Sequence, residues 1–89
     1  MAGMAERIRT KLEAAFAPDR LEVIDESEKH RGHAGWREGG ETHFRVVMRA
    51  ESLGAMNRLA RARAVHRVLA EELAERVHAL QLDLGGSGG

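Results

Sequence analysis

The apolar residues of this 89-residue chain change their spacing from one stretch to the next, and that rhythm restricts the fold more than any single motif. Met4, Ile8, Leu12 and Ala15/Phe16 recur at three- and four-residue intervals, with Glu6, Arg7, Arg9 and Lys11 between them. This period predicts an amphipathic helix over residues 4–16. Pro18, which has no backbone donor, ends it. Leu21–Asp25 then alternates apolar and polar side chains as a strand does. A second strand is predicted over Glu41–Arg49, where Thr42, Phe44, Val46 and Met48 oppose His43, Arg45, Val47 and Arg49. The helical period returns from about Met56 to Ala74, with Met56, Leu59, Ala62, Val65/His66, Leu69 and Leu73 in one stripe. A short extra helical turn is expected near 53–57. Val77–Leu84 reads as a third strand, with His78, Leu80, Leu82 and Leu84 on one face.

The resulting order, α-β-β-α-β with the first two strands antiparallel, predicts a two-layer α+β domain. Its helices cover one face of a three-stranded sheet. A chain this short holds one core, expected over residues 1–84, and Gly85-Gly-Ser-Gly-Gly89 reads as a flexible tail outside it. No apolar run is long enough to span a bilayer, and Met1–Arg7 lacks the hydrophobic segment of a secretory signal. A cytoplasmic location and no membrane partner are therefore expected. The absence of cysteine excludes a disulfide framework, thiol catalysis and thiolate metal ligation by this chain. A transition metal held here has to use imidazole or carboxylate, or thiolates from another molecule.

Between Ser27 and Gly40 there is no branched aliphatic residue, so this stretch is not built to pack a core. It carries His30 and His33, three residues apart and next to Gly32 and Gly35, a spacing that permits both rings to converge. Imidazole is the commonest metal ligand among side chains. Trp36, the one tryptophan, is a candidate interface anchor in the same stretch. Arg58, Arg61, Arg63 and Arg67 form a basic cluster, followed by Glu71, Glu72 and Glu75. On one continuous helix that polarity opposes the macrodipole, as a solvated face tolerates. The net charge is zero, with 14 basic and 14 acidic residues, and lacks the basic excess usual in a dedicated nucleic-acid binder. No nucleophile–base pair or phosphate-binding glycine loop appears in a recognisable motif, so an enzyme is not expected.

Asp25-Glu-Ser27, His30 and His33, Glu41-Thr-His-Phe44, Arg61 and Arg63 before Val65-His66, and Val77-His-Ala-Leu80 together resemble the BolA-like proteins. The resemblance covers residues from about 5 to 84. It implies a KH-like fold of the second topology and a non-enzymatic adaptor role. Such adaptors pair with a monothiol glutaredoxin and share a [2Fe-2S] cluster, in iron–sulfur trafficking, iron homeostasis or redox regulation. Glutaredoxin and glutathione supply the thiolates. On that pattern His78 and one of His30 and His33 are the metal ligands; Trp36, Arg58, Arg61, Arg63 and Arg67 are separately expected to contact the partner or nucleic acid. The isolated chain is expected to carry no cofactor and to be a monomer or weak dimer. His43 is expected to be structural, and His66 to pack. The alternative is a KH-like DNA-binding transcriptional regulator using the arginine-rich second helix. Against the usual RNA route, Gly32-His-Ala-Gly35 lies between strands rather than between helices.

Overall fold

The computed structural model describes residues 3–27 and 42–87. Helix α1 (Met4–Phe16) has the predicted bounds, and its buried residues are Met4, Ile8 and Leu12. It stops before Pro18 through Ala17, which adopts a left-handed conformation (φ 46°) and returns its N–H to the Glu13 carbonyl. Strands β1 (Arg20–Asp25) and β2 (His43–Arg49) are antiparallel, with Arg20 opposite Arg49 and Asp25 opposite Phe44. After β2 a 3-10 turn (Glu51–Leu53) leads to α2 (Arg58–Val68), α3 (Ala70–Glu75) and β3 (Ala79–Gly85). Strand β3 pairs with β2 in parallel, His43 opposite Ala79, so β2 is the central strand. A parallel neighbour requires a crossover connection, which the two helices supply. The architecture is the expected two-layer α+β domain.

The core lies between the helices and the inner face of the sheet. Phe44, Val46 and Met48 of β2 are almost fully buried together with Ile8, Leu12, Leu53, Val65 and Leu69. Leu80, Leu82 and Leu84 of β3 pack against this cluster. The other face is largely polar, carrying exposed Arg45, Gln81 and Asp83, and Arg49 pairs with Asp83 there at 3.0 Å. Alternation alone would leave Val47 on that face, yet it is buried between Glu22 and Asp83 in register.

Several details depart from the sequence expectations. The helical segment is broken at Leu69 (φ −101°, ψ 17°) although no glycine or proline marks the position. Leu69 is itself a core residue, and the break gives Glu71 and Glu72 the first turn of α3, where the macrodipole favours them. Leu59 does not join the apolar stripe; it is 58% exposed. His66 is exposed rather than packed. The tail is not wholly outside the fold, because Gly85 is the last residue of β3 and its carbonyl accepts the Ala50 N–H at 3.1 Å. Gly86 follows so closely against Gly54 that a Cβ there would lie 2.8 Å from the Gly54 Cα.

The helices are joined by charge. Glu72 is fully buried, and its carboxylate takes a hydrogen bond from Arg7 Nη2 at 2.9 Å. Lys11 Nζ reaches both of its oxygens, at 3.0 and 2.8 Å, and also Glu71 at 2.8 Å. Arg7 Nη1 pairs with Glu75 at 2.6 Å. Burial alone would push the Glu72 carboxyl up, but hydrogen bonds from Lys11 and Arg7 outweigh it and hold the group below the ordinary glutamate range. Lys11 lowers Glu71 in the same way.

Two predictions follow from this packing. Because both carboxyls are easier to ionise in the fold, their stabilisation is complete above the ordinary glutamate pKa of about 4.3 and is lost as pH falls through the lowered folded values. Glu72→Gln should cost about 2 kcal/mol at neutral pH, less than a fully buried pair because Arg7 and Lys11 stay about a third exposed. Its urea midpoint should then fall less steeply between pH 5 and 3 than that of the wild type; an unchanged slope would contradict the assignment. Gly86→Ala should lower Tm by roughly 5–15 °C through the clash with Gly54. Gly85→Ala, whose Cβ meets only the flexible Arg49 side chain at 3.2 Å, should be milder.

Candidate functional site

Of the candidate metal ligands, His78 is described, whereas His30, His33 and the candidate anchor Trp36 lie outside the described residues. His78 is exposed and immediately precedes β3 rather than lying within it. The residue before it, Val77, is buried in the core, so the chain leaves the interior at this point. The end of α3 delivers it there, since the Glu72 carbonyl accepts the N–H groups of Arg76 (3.1 Å) and Val77 (3.0 Å). The His78 N–H then bonds the Thr42 carbonyl at 2.7 Å. That contact seats the His78 backbone beside Thr42, the first described residue after positions 28–41.

Ser27, the last described residue before those positions, is held by hydrogen bonds through its hydroxyl. Ser27 closes a local turn, with its N–H and its Oγ both donating to Asp25 Oδ1 at 2.9 and 2.5 Å. The Ser27 oxygen in turn accepts the N–H groups of Thr42 (3.0 Å) and His43 (3.2 Å). Thr42 Oγ1 is 2.8 Å from His43 Nδ1. His43 is buried and hydrogen-bonded, which agrees with a structural role. Ser27 and Thr42 stand in the Asp25-Glu-Ser27 and Glu41-Thr-His-Phe44 motifs, but the sequence does not show that they bond to each other. The available signal was a pair of short hydroxyl residues bracketing a stretch without aliphatics, where buried backbone groups need side-chain partners.

Chemically, the described residues present an exposed imidazole, His78, at the end of the sheet, and the chain has no cysteine to supply a thiolate. This donor set fits one side of a shared cluster and cannot complete it. Among the described residues no three histidine or carboxylate side chains gather as a metal site.

The arginines form a separate feature. Arg58, Arg63 and Arg67 are exposed on α2, which carries no acidic residue, and none of the three has an ion pair among the described residues. Arg61 differs, because its Nε donates to the Leu53 carbonyl at 2.8 Å and ties α2 to the 3-10 turn. Asn57 caps α2 by accepting the Ala60 N–H at 2.8 Å. Met56, Leu59, Ala60 and Ala64, together with Arg63 and Arg67, line an open groove of about 350 Å³.

Comparison with known proteins bears on both features. An Escherichia coli protein named DNA-binding transcriptional regulator BolA is 47% identical over 77 residues, covering 86% of this chain and 70% of that protein. Human BolA-like protein 1 is 48% identical over 75 residues, or 84% of this chain but only 52% of the human protein. The chain thus spans about half the length of that relative. Among solved structures, the BolA domain of SufE1 from Arabidopsis thaliana superimposes with a TM-score of 0.87 at 32% identity, covering 98% of this chain and 95% of that one. BolA1 from the same plant gives a TM-score of 0.85 at 35% identity, covering 97% and 94%. These relatives are named as regulators or BolA-like proteins, not as enzymes. No described helix is long and apolar enough to cross a membrane. With the BolA-like protein model matching residues 12–86 and the fold agreeing throughout, the chain belongs to the BolA-like protein family.

Proposed function

We propose that this protein is a non-enzymatic adaptor that pairs with a monothiol glutaredoxin and shares a [2Fe-2S] cluster with it and glutathione. The observation that supports this reading best is the bond from the His78 N–H to the Thr42 carbonyl, which holds an exposed histidine beside the residue that follows positions 28–41 in the sequence. Imidazoles replacing thiolates on one iron raise the cluster's potential, and that is the chemistry the shared group supplies. The chain's own part is to present imidazole nitrogens from His78 and from one of His30 and His33. The partner's thiolates complete the set, as a cysteine-free chain requires. We take the working location to be the cytoplasm, although one Arabidopsis relative, 40% identical, is named as chloroplastic.

A second reading is DNA binding. The name of the Escherichia coli relative and the three unpaired arginines of α2 favour it.

Each reading has a direct test. On mixing with a cluster-loaded, glutathione-bound monothiol glutaredoxin dimer, the wild type should change the visible circular dichroism of the cluster. His78→Ala should not, and one of His30→Ala and His33→Ala should fail in the same way while the other succeeds. A wild type that leaves the spectrum untouched, or a His78→Ala that matches it, would sink the cluster reading. For DNA, duplex affinity should fall steeply with salt, and Arg63→Ala and Arg67→Ala should each reduce the log–log salt slope by about 1. Absent or salt-independent binding would remove that reading.

A further inference from the structure

We infer that helix α2 carries a docking groove for an acidic amphipathic helix of another protein, with Leu59 as its apolar contact and Arg63 and Arg67 as its charged ones. Residues four apart on a helix stack one above another. Met56, Ala60 and Ala64 therefore form one row, and Leu59, Arg63 and Arg67 form the row beside it. The two alanines leave a depression alongside the larger side chains, and ridges of a second helix seat in depressions of this kind. These six residues, with the cap residue Asn57, line the groove of about 350 Å³. Its walls all come from α2 and the residues just before it, so no other described element contributes to them. A single exposed leucine is ordinary on a protein surface. Here Leu59, 58% exposed, adjoins a row of small and apolar side chains and two cations, which together make a contact surface.

Charge selects the occupant. Helix α2 has no acidic residue, and Arg58, Arg63 and Arg67 are exposed without an ion pair among the described residues. The acids that follow in α3 are already engaged by α1. Glu72 pairs with Arg7 and Lys11, Glu71 with Lys11, and Glu75 with Arg7. The chain as a whole is neutral, so the positive excess belongs to this surface. Arg63 and Arg67 stand about one helical turn apart, a spacing that two carboxylates one turn apart on a facing helix match. A nucleic acid would meet the same arginines, but it draws its affinity from phosphate contacts and leaves Leu59 and the apolar row unused. The apolar row favours a protein segment, bound by the helix-in-groove mode. The inference requires no cluster and stands apart from the reading built on His78.

The test uses the 15N-labelled chain and a synthetic helical peptide with leucines along one face and glutamates flanking them. Amide shifts should concentrate on Met56–Val68, and affinity should fall as salt rises. Leu59→Gln should weaken binding roughly tenfold. Arg63→Glu combined with Arg67→Glu should abolish it, and that variant should instead bind the same peptide with lysine in place of glutamate. All three side chains are exposed, so the variants should keep the wild-type Tm. The charge-swapped pairing reads binding by a folded variant directly. Absent shifts, shifts away from α2, or equal binding of a peptide with glutamine in place of glutamate would overturn the proposal. A DNA duplex that binds at α2 where the peptide does not would make this a nucleic-acid face and overturn it as well. Shifts of the same amides on diluting the free chain would mark a second copy as the occupant, with the same result.

Discussion

Glu72 is a carboxylate shut away from water, and the fold around it is arranged so that the carboxylate never lacks its cations. Taking a charge out of water is costly, and removing one partner of such a group costs more than the pair contributes when intact. Arg7 and Lys11, one helical turn apart on α1, therefore have to face Glu72 across the helix layer, and this sets how α1 lies against α3. The same residue ends α3, because its carbonyl takes the N–H groups of Arg76 and Val77. The chain is released from that point toward His78. A single buried acid thus links the packing of the helices to the place where the candidate ligand emerges.

The opposite end of that path is held by hydrogen bonds among a carboxylate and two small hydroxyl residues. Asp25, Ser27 and Thr42 gather the ends of β1, β2 and β3 where their ladders stop. His78 is carried by a rigid backbone but keeps its ring in solvent, which suits a ligand that must meet another molecule. No cysteine in the chain supplies a thiolate. The architecture accordingly presents the His78 imidazole from a hydrogen-bonded backbone, and in the proposed complex thiolates come from the partner. The arginines of α2 form a different surface, and Arg61, bonded to the Leu53 carbonyl, belongs to the scaffold more than to that surface.

Much of this was legible in the sequence, for physical reasons. The spacing of Met4, Ile8 and Leu12 gave α1 its bounds because an isolated amphipathic face has only one way to be buried. Phe44, Val46 and Met48 marked the inner face of β2 through strict alternation. What escaped depended on partners distant in sequence. The break at Leu69 carries no glycine or proline, and beyond it Glu72 pairs with α1, a contact visible only once both helices are in place. Glu71, Glu72 and Glu75 looked like a solvated face; the missed signal was the complementary spacing of Arg7 and Lys11 on the other helix. Leu59 and His66 fit a helical stripe by number yet point away from a core that the shorter α2 meets through Val65. Gly85 and Gly86 read as tail because a glycine's value in a close backbone approach shows only when the opposing backbone, here Gly54, is in place.

The central claim is that this chain contributes imidazole nitrogen to a cluster whose thiolates come from elsewhere. Labelling this chain alone with 15N-histidine, forming the complex with unlabelled monothiol glutaredoxin, and reducing the cluster allows pulsed electron paramagnetic resonance to count nitrogen ligands by origin. The account predicts two strong 15N couplings, one of which disappears in His78→Ala. A spectrum with no 15N coupling from this chain would contradict it.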